Sequence, residues 1–457
     1  MGDSTPTNFF SGSPLNRLSW LRTSQPFLNA ILVSESARWV VLRDGKPLLA
    51  TEPVGNAGSS KPRTNPARLT TAEIRSLLGP EPFFAQGEKV GELAQADIPV
   101  LEAARIHGPP IVFLGLQESE GEGALPSSDF GSKTDPAALT ARIKGTPYFA
   151  IDVTDIEQSV LDEVLQSSSL GTSGHKLEFI DARAAMRYHN YTDAAILAEA
   201  RSMIDWNVRN KFCPACGSPV YSLWAGWKLS CTSLLPWSNN SGRKPCPTAT
   251  GLHNYAHPRT DAVVITVVTN EANDKILLGR NRKWPGSFYS AMAGFIEPAE
   301  ALEDAVKREI WEEAGVKVWG VKYHSTQPWP FPANLMVGFY ALADDSLPTR
   351  VDLDNELEDA RWFTREEILA VLNNPEGTNF ALRPPKSSPS NDSEGKAEST
   401  AGALAGDAAT KAVEQKAESQ GPAFRLPPIT AIAGLLISDW AHKKVFIENP
   451  SKLKGSL

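Results

Sequence analysis

A short stretch of the sequence, from Gly294 to Val316, restricts the fold and the chemistry of this chain more than any other. Apolar residues recur there at helical spacing, which predicts a helix from Glu300 to Ala314. Glu309, Glu312 and Glu313 stand at positions i, i+3 and i+4, so the helix would present all three on one face. Like charges at this spacing repel each other, at a cost of about 0.2–0.5 kcal/mol per pair in an isolated helix. A hard divalent cation with oxygen ligands, Mg²⁺ or Mn²⁺, would remove that cost.

Most acidic helix faces are simply solvated, and three clustered glutamates alone favour that interpretation. The complete spacing favours a functional site instead, because many positions are constrained at once. It resembles the signature of the Nudix hydrolases, G-x5-E-x7-R-E-U-x-E-E-x-G-U, in which U is a bulky aliphatic residue. Every fixed position of that signature is filled, by Gly294, Glu300, Arg308, Glu309, Ile310, Glu312, Glu313, Gly315 and Val316.

The resemblance implies hydrolysis of a nucleoside diphosphate linked to another group. Water would attack a phosphorus atom while a divalent metal ion neutralises the charge that develops. Arg308 would orient the glutamates, and Gly315 would end the helix as its C-cap. The carboxylate that acts as general base varies within the family, so this role stays unassigned. The implied catalytic residues are Arg308, Glu309, Glu312 and Glu313, and the implied metal ligands are the Ala293 carbonyl, Glu309, Glu313 and Glu356.

A proline-rich segment follows, from Thr326 to Met336. Its closely spaced prolines exclude a helix or a central strand, so we predict a stiff loop that displays Trp329 and Phe331. Such aromatic rings stack on bases or nicotinamide rings, but composition alone favours rings that pack into a core. The segment resembles the SQPWPFPxS motif of the NADH pyrophosphatases, a Nudix subfamily, with Thr326 and Asn334 in place of the two serines. This resemblance implies substrate contacts at Gln327, Pro328, Trp329, Pro330, Phe331, Pro332, Ala333 and Asn334.

Three further segments resemble the same subfamily. His257-Pro258-Arg259 resembles its YPR segment, in which the tyrosine contacts substrate, and His257 stands at that position. Residues 354–363 resemble a strand that brings in a further metal-binding carboxylate, at Glu356, which would otherwise be a solvated loop charge. Residues 427–437 resemble the closing helix, which places Ala433 against the substrate. Taken alone, this last run would be an ordinary amphipathic core helix.

The chain has four cysteines, Cys213, Cys216, Cys231 and Cys246. The first two have the C-x2-C spacing of a zinc knuckle. Fourteen residues separate the second two, so residues 233–244 resemble an insertion into that knuckle. Two disulfides or buried unligated thiols are the alternatives, and the lack of a secretory signal argues against disulfides. The resembling family carries a zinc ribbon at this place, and four thiolates would make the zinc structural.

A chain of 457 residues has room for two or three domains. Within it, Trp39 to Leu49 is predicted to form a hairpin that turns at Asp44-Gly45, and Thr192 to Val208 a helix. We predict a multi-domain α+β and α/β protein, with an N-terminal α+β domain, a four-cysteine zinc ribbon and a C-terminal Nudix α/β/α sandwich. The predicted boundaries are 1–190 for the N-terminal domain, 205–255 for the ribbon and its preceding helix, 256–375 for the Nudix domain, 384–422 for a disordered insertion, and 424–445 for the closing helix.

Together these features predict an Mg²⁺- or Mn²⁺-dependent NAD(H) diphosphatase that yields AMP and nicotinamide mononucleotide. The alternatives are Nudix action on ADP-ribose, dinucleoside polyphosphates or NAD-capped RNA, and a non-catalytic NAD(H) sensor. The net charge of −8 disfavours nonspecific nucleic-acid binding, and the intact carboxylate set argues against the sensor. No apolar run is long enough to span a bilayer, and the family implies a homodimer. Ser451-Lys452-Leu453 resembles a peroxisomal address but is internal, so we expect the cytosol first and the peroxisome second.

Overall fold

The computed structural model describes residues 8–53, 62–94, 102–118, 138, 145–249, 257–284, 286–354, 356–378 and 422–445. The chain divides into two compact units. One is Phe10–Arg259, and the other combines Met1–Phe9 with Thr260–Leu457. The predicted disordered insertion, residues 384–422, lies outside the described residues except for Pro422. The domain boundaries drawn inside the two units stay predictions.

The Phe10–Arg259 unit is built on a mixed sheet and a separate hairpin. The sheet strands are β1 (Leu15–Asn16), β2 (Arg38–Arg43), β3 (Lys46–Thr51), β4 (Thr64–Pro66), β5 (Leu69–Thr70), β6 (Ile111–Glu118), β7 (Gly145–Asp152) and β8 (Lys176–Phe179), and the hairpin strands are β9 (Val220–Leu223) and β10 (Lys228–Cys231). The described strands run in the order β1-β6-β7-β2-β3-β4, with β5 beside β2 and β8 beside β3. The predicted turn at Asp44-Gly45 is confirmed, and both residues have the positive φ that a tight hairpin turn requires.

One long helix covers part of this sheet. Its residues, Tyr191–Arg209, confirm the predicted helix, and the Asn190 side chain caps it by accepting a hydrogen bond from the Asp193 amide. Ile196, Met203 and neighbouring apolar side chains pack against β2, β6 and β7. The described helices of the unit are α1 (Gln25–Leu32), α2 (Gln158–Ser167), α3 (Ser169–Thr172), α4 (Ala182–Ala185) and α5 (Tyr191–Arg209), with short 3-10 helices at Ser19–Leu21, Arg75–Leu77, Met186–Tyr188, Trp224–Gly226, Thr232–Leu234 and Pro247–Ala249.

The second unit holds a six-stranded sheet and three helices among its described residues. The strands are β11 (Asp261–Asn270), β12 (Lys275–Asn281), β13 (Met292–Phe295), β14 (Trp319–Trp329), β15 (Asn334–Ala343) and β16 (Leu357–Thr364), and the helices are α6 (Leu302–Ala314), α7 (Arg365–Leu372) and α8 (Ile432–Ala441). The sheet order is β14-β15-β11-β12-β16, with β13 beside β11. The β11–β15 pair is parallel, and the other pairs are antiparallel.

The central strand β11 contributes side chains to two hydrophobic cores, because successive side chains point to opposite faces of the sheet. Val264 and Val268 pack on the face covered by α6, whereas Val263, Ile265 and Val267 pack on the face covered by α7 and α8. Helices on both faces of one sheet confirm the predicted α/β/α sandwich. No helix in the described segments is both long enough and apolar enough to cross a membrane.

Four neighbouring strands repeat one arrangement in both units. The series β6-β7-β2-β3 and the series β14-β15-β11-β12 each contain an antiparallel, then a parallel, then an antiparallel pair. In both series the first pair and the last pair join strands that follow each other in the sequence. The two units therefore share a sheet plan, although only the second carries the glutamate spacing of residues 294–316.

Candidate active site

The glutamate-bearing helix α6 begins later than the sequence pattern predicted. It starts at Leu302 and ends at Ala314, so Glu300 lies in the turn that leads into it. Gly315 follows in the left-handed conformation, with φ of 66°, and its amide donates to the Trp311 carbonyl at 2.9 Å. This is the predicted glycine C-cap. The apolar side of α6 is buried against β11, β13 and β16, which fixes the direction of its acidic side.

Arg308 uses its guanidinium group to hold this acidic side together. Its Nε and Nη2 donate to the two oxygens of Glu300 at 2.7 and 2.9 Å, and Nη2 also donates to the Phe295 carbonyl at 2.8 Å. Its Nη1 donates to Glu309 at 2.8 Å and to Glu312 at 3.0 Å. These five bonds match the five N–H donors of an arginine. Hydrogen bonding to Arg308 lowers the pKa of Glu300 to about 2.

Glu309 lies directly against the backbone of Gly294. A Cβ atom at residue 294 would stand 1.8 Å from the Glu309 Cδ atom, so any side chain there would displace the carboxylate. This contact explains why the signature needs glycine at a position far from the helix. Burial raises the pKa of Glu309, and its bond from Arg308 opposes that rise.

Glu313 and Glu356 complete an acidic group with Glu309, in which Glu313 is buried and the other two are half-buried. Glu313 is 3% exposed, and burial raises its pKa well above the ordinary value, with Glu356 and Glu309 adding to the rise. A backbone hydrogen bond from Ala293 partly opposes this rise. Burial also raises the pKa of Glu356, whose Oε1 accepts a hydrogen bond from Asn281 at 3.1 Å. Carboxylates that face one another in this way are suited to a bound cation.

The three carboxylates are more widely spaced than a closed metal cage. Among the described residues, only the four cysteine sulfurs gather as a group of potential ligands within 4.8 Å of one another. An open carboxylate site suits an ion such as Mg²⁺, which keeps water and substrate oxygens among its ligands. Glu312 differs from the other two helix glutamates, because its side chain is 46% exposed and its described contact is Arg308.

A cleft connects Glu313 and Glu356 of the acidic group with the proline-rich segment, and Glu309 is not among its lining residues. Of the predicted site residues, Ala293, Glu313, Gln327, Trp329, Asn334, Glu356 and Ala433 line it. Asn281 and Trp284 also line it, and no sequence motif had indicated them. The one available signal in the sequence was their position at the end of strand β12 and in the loop that follows it, since loops after strands often carry functional residues.

The proline-rich segment is a tighter structure than the predicted loop. Thr326–Trp329 is the end of β14, Asn334 begins β15, and only residues 330–333 form the turn. Strand β14 is at the edge of the sheet and has a partner strand on one side. Pro328 is tolerated there because an edge strand does not need every backbone N–H for hydrogen bonds between strands. The turn holds the rest of the predicted contact set, Pro330, Phe331, Pro332 and Ala333, and Pro330 is buried. The carbonyl of Ala333 accepts a hydrogen bond from the Asp261 amide at 3.1 Å.

The prediction that this loop displays both aromatic rings is wrong for Phe331. Phe331 is 7% exposed and packs edge-on against Trp329, with ring centroids 5.2 Å apart. Trp329 is half-buried and lines the cleft. Phe331 thus packs against Trp329, and of the two rings only that of Trp329 lines the cleft.

Asn334 has an uncommon environment for a buried amide. The residue is 4% exposed, and neither its Nδ2 nor its Oδ1 finds a hydrogen-bond partner among the described residues. Buried polar groups are almost always paired, so this amide is available to a ligand or water in the cleft. A ligand that offers one acceptor and one donor would satisfy it.

Two other predicted substrate residues lie in different surroundings. Ala433 is in the first turn of α8 and is 1% exposed in the cleft wall. His257 belongs to the Phe10–Arg259 unit, where its ring lies 5.6 Å from the ring of Trp224.

The four cysteines meet although their spacing in the sequence is uneven. The Sγ atoms of Cys213 and Cys246 are 3.7 Å apart, and those of Cys216 and Cys231 are 3.4 Å apart. All four sulfurs lie within 4.8 Å of one another. A tetrahedral zinc site with bonds of about 2.3 Å places its sulfurs roughly 3.8 Å apart, so the cluster fits zinc. Disulfides would need sulfurs about 2.05 Å apart.

The long loop between Cys231 and Cys246 folds back to make this cluster possible. Asn240 donates to the Ser233 carbonyl at 2.7 Å, and Arg243 donates to the Ser218 hydroxyl at 3.4 Å. The Cys213–Cys216 turn is closed by Gly217, whose amide donates to the Cys213 carbonyl at 2.8 Å. The four cysteines predicted as zinc ligands therefore lie together, and the insertion does not separate their sulfurs.

Comparisons with known proteins agree with the fold and the site. Residues 258–382 match the family model of the NUDIX domain, and residues 36–206 match the NADH pyrophosphatase-like rudimentary NUDIX domain. The second match explains why the two units share a sheet plan. The sequence motifs had indicated only an α+β domain there, because the glutamate signature is missing from it.

Three relatives extend the similarity over most of the chain. The NAD-capped RNA hydrolase of Schizosaccharomyces pombe is 33% identical over 392 residues, which are 83% of this chain and 90% of the relative. NAD-capped RNA hydrolase NUDT12 of Homo sapiens is 43% identical over 82% of this chain and 70% of the relative. NAD-capped RNA hydrolase NPY1 of Saccharomyces cerevisiae is 30% identical over 81% of this chain and 88% of the relative. The chain belongs to the Nudix hydrolases, within their NADH pyrophosphatase subfamily.

Proposed function

We propose that this protein hydrolyses the pyrophosphate bond of NADH or NAD⁺ and releases AMP and the corresponding nicotinamide mononucleotide. The observation that carries the proposal is the cleft that joins Glu313 and Glu356 to Trp329 and Asn334. Its acidic end suits the chemistry of a metal-assisted hydrolysis, and its aromatic and amide end suits a planar ring with a carboxamide. The subfamily membership supports the same reaction.

The catalytic cation, Mg²⁺ or Mn²⁺, would be held by Glu309, Glu313, Glu356 and the carbonyl of Ala293. The donor set fits a hard cation, because all of its donor atoms are oxygens. Repulsion from Glu356 and Glu309 adds to the raised pKa of Glu313, and a bound cation would relieve that repulsion. A divalent ion bound there supplies positive charge to the pyrophosphate oxygens. Arg308 keeps Glu309 in place through its hydrogen bond, and Gly294 leaves the space that this carboxylate fills.

The reaction forms one P–O bond and breaks another. The oxygen of a water molecule adds to one phosphorus, and the bridging oxygen leaves with the second phosphorus. The proton lost by the water passes to a carboxylate of the site. The carboxylate that acts as general base varies within the family, so this role stays unassigned.

Trp329 and Asn334 would recognise the nicotinamide side of the substrate. The half-buried Trp329 ring, supported by Phe331, offers a stacking surface. The unpaired amide of Asn334 offers a donor and an acceptor, which match the carboxamide of nicotinamide. A substrate without that carboxamide would leave Asn334 buried and unsatisfied, which is unfavourable.

The cysteine cluster would hold Zn²⁺ in a structural role. Three of its sulfurs are on buried residues, and all four ligand positions are taken by protein, so no position remains for substrate. The ion would join the Cys213–Cys216 turn to the end of β10 and to Cys246.

The first test is the release of AMP and reduced nicotinamide mononucleotide from NADH, with Mg²⁺ or Mn²⁺, beside NAD⁺, ADP-ribose and NAD-capped RNA. Fastest turnover of NADH supports the proposal. Faster turnover of NAD-capped RNA would identify that RNA as the preferred substrate. It presents the same dinucleotide, and the three relatives are named as hydrolases of it. Tight NADH binding with no turnover of any substrate would favour a sensor.

Assembly and location complete the proposal. We propose a homodimer, which light scattering at several protein concentrations tests, and a monomer at all of them would contradict it. We propose a cytosolic location first and a peroxisomal one second. Imaging with a fluorescent tag that leaves both termini native separates the two.

A further inference from the structure

Gln327 lines the cleft, but its side chain is already engaged by the protein. Its Nε2 donates one hydrogen bond to the Phe9 carbonyl and another to the Thr430 carbonyl, each at 2.9 Å. Its Oε1 accepts a hydrogen bond from the Ile432 amide at 2.8 Å. A glutamine amide has two N–H donors, so both are used within the protein. Gln327 is 1% exposed and lies at the end of β14, two positions before Trp329.

One of these bonds replaces a missing helix cap. Helix α8 begins after Ala431, which has no side-chain acceptor to cap the free amides of the first turn. Gln327 supplies an acceptor to Ile432, the first residue of the helix. Residues 431–433 form part of the cleft wall. The position of that wall therefore depends on Gln327.

The third partner of Gln327 comes from the start of the chain. Phe9 is 318 positions away in sequence, yet Met1–Phe9 is grouped with the catalytic unit. Next to it, Asn8 is 5% exposed, and its Nδ2 donates to the Ser325 hydroxyl at 3.1 Å and to the Thr326 carbonyl at 2.7 Å. Both matched family models leave out these two residues.

We propose that Asn8, Phe9 and Gln327 form a brace that sets the position of two substrate-facing parts of the cleft, Trp329 and residues 431–433. Gln327 is then a positioning residue and does not donate hydrogen bonds to the substrate. Asn8 is hydrogen-bonded to β14, and the Phe9 carbonyl accepts a hydrogen bond from Gln327. Gln327 in turn accepts a hydrogen bond from the first residue of α8 and so fixes the start of that helix. The proposal rests on the proposed function for its effect on substrate binding, but the brace itself does not depend on it.

The test combines kinetics with hydrogen exchange. In Asn8→Ala, the KM for NADH should rise roughly three- to tenfold, the effect of losing about one or two hydrogen bonds, while kcat stays within about twofold. In a Gln327→Met background, which removes both donors and the acceptor of this side chain, Asn8→Ala should have little further effect on KM. Amide exchange of residues 430–436 should become faster in Asn8→Ala.

Asn29→Ala is the matched control. Its side chain makes two hydrogen bonds with the backbone of Phe84, at 3.0 Å each, in the other unit. We expect this variant to lose stability with KM and the exchange of residues 430–436 unchanged.

Two results would overturn the brace. An unchanged KM in Asn8→Ala, in a protein that hydrolyses NADH, would remove its role in substrate binding. Unchanged exchange at residues 430–436 would remove the brace itself, even in a protein without turnover. A wild-type protein inactive on NADH would count against the proposed function alone, and the exchange measurement would still decide the brace.

Discussion

Arg308 and Glu300 are joined by two parallel hydrogen bonds, from Nε to Oε1 at 2.7 Å and from Nη2 to Oε2 at 2.9 Å. This pair ties the loop before α6 to the helix itself. The remaining donors of Arg308 are thereby aimed at Glu309, Glu312 and the Phe295 carbonyl. The guanidinium group therefore acts as the template on which the acidic site is arranged.

Arg308→Lys should reduce kcat by about tenfold or more, because a lysine has three donors and lacks the planar fork that holds Glu300. Steady-state kinetics with NADH measures the effect. Arg350→Lys is the matched control, since Arg350 makes the same two-bond contact with Asp352 on the exposed surface, at 3.1 and 3.0 Å. It should leave kcat unchanged. Equal losses in both variants would exclude a special role for Arg308.

Glu309→Gln should lower kcat by about a hundredfold or more, because it removes a negative charge from the cation site but keeps the shape of the side chain. The melting temperature of the metal-free protein should not fall, since burial already disfavours the charge on Glu309. Glu303→Gln, on the exposed first turn of the same helix, should retain full activity. A fully active Glu309→Gln enzyme would remove Glu309 from the mechanism.

Asn334→Ala should raise the KM for NADH roughly three- to tenfold without lowering the melting temperature. The amide makes no hydrogen bond to the described protein, so its removal costs the folded state none. The KM for ADP-ribose, which has no nicotinamide, should stay the same. If both KM values rise equally, Asn334 does not contact the nicotinamide carboxamide.

The purified protein should contain a single zinc ion per chain by elemental analysis. Cys213→Ser should lose that ion and lower the melting temperature by something on the order of 10 °C, because the metal-binding energy contributes to folding. Ser241→Ala, on the exposed loop between Cys231 and Cys246, serves as the control. Thiol titration of the denatured, unreduced protein should detect all four cysteines. Undetectable thiols would instead indicate disulfides.

Glu199 should make stability depend on pH near neutrality. Burial raises its pKa to about 7 in the folded protein, although Arg17, at 3.2 Å, and Arg22 oppose the rise. The folded state therefore binds this proton more tightly than the unfolded state, whose carboxyl has a pKa near 4.5. The stability from this group is complete below pH 4.5 and is lost as the pH rises through 7.

Melting curves between pH 5 and 8 test this dependence. The melting temperature of the wild type should fall more steeply with rising pH than that of Glu199→Gln, which cannot titrate. Glu163→Gln, on an exposed helix face, should keep the wild-type slope. Parallel curves for wild type and Glu199→Gln would contradict the assignment.

The helical part of the acidic site was predictable from spacing alone. Glu309 and Glu313 are one helical turn apart, and the backbone repeat places such residues on one side of α6 whatever surrounds them. The C-cap at Gly315 was implied by the resemblance to the Nudix signature, and its φ of 66° confirms it. The predicted start at Glu300 was wrong, because the helix begins at Leu302 and Glu300 lies in the turn before it, where its carboxylate accepts hydrogen bonds from Arg308.

The display of Phe331 was predicted wrongly because exposure is not a local property. Prolines correctly indicated a turn, but the burial of the ring depends on contacts of the folded chain, such as the one with Trp329. The shared sheet plan of the two units also escaped the sequence patterns. Strand order depends on which segments pair, and pairs such as β2 with β7 join residues more than a hundred positions apart.

The sequence by itself determined the reaction class, through the glutamate spacing, and it determined the candidate ligands of a metal site, through its four cysteines. The tertiary structure alone decided that Phe331 is buried, that Asn334 lines the cleft without a hydrogen-bond partner among the described residues, and that Gln327 is held by Phe9. The physical reason is the range of the interactions. Helical neighbours follow from backbone geometry, whereas burial and hydrogen bonds between distant residues exist only after the sheet has paired its strands.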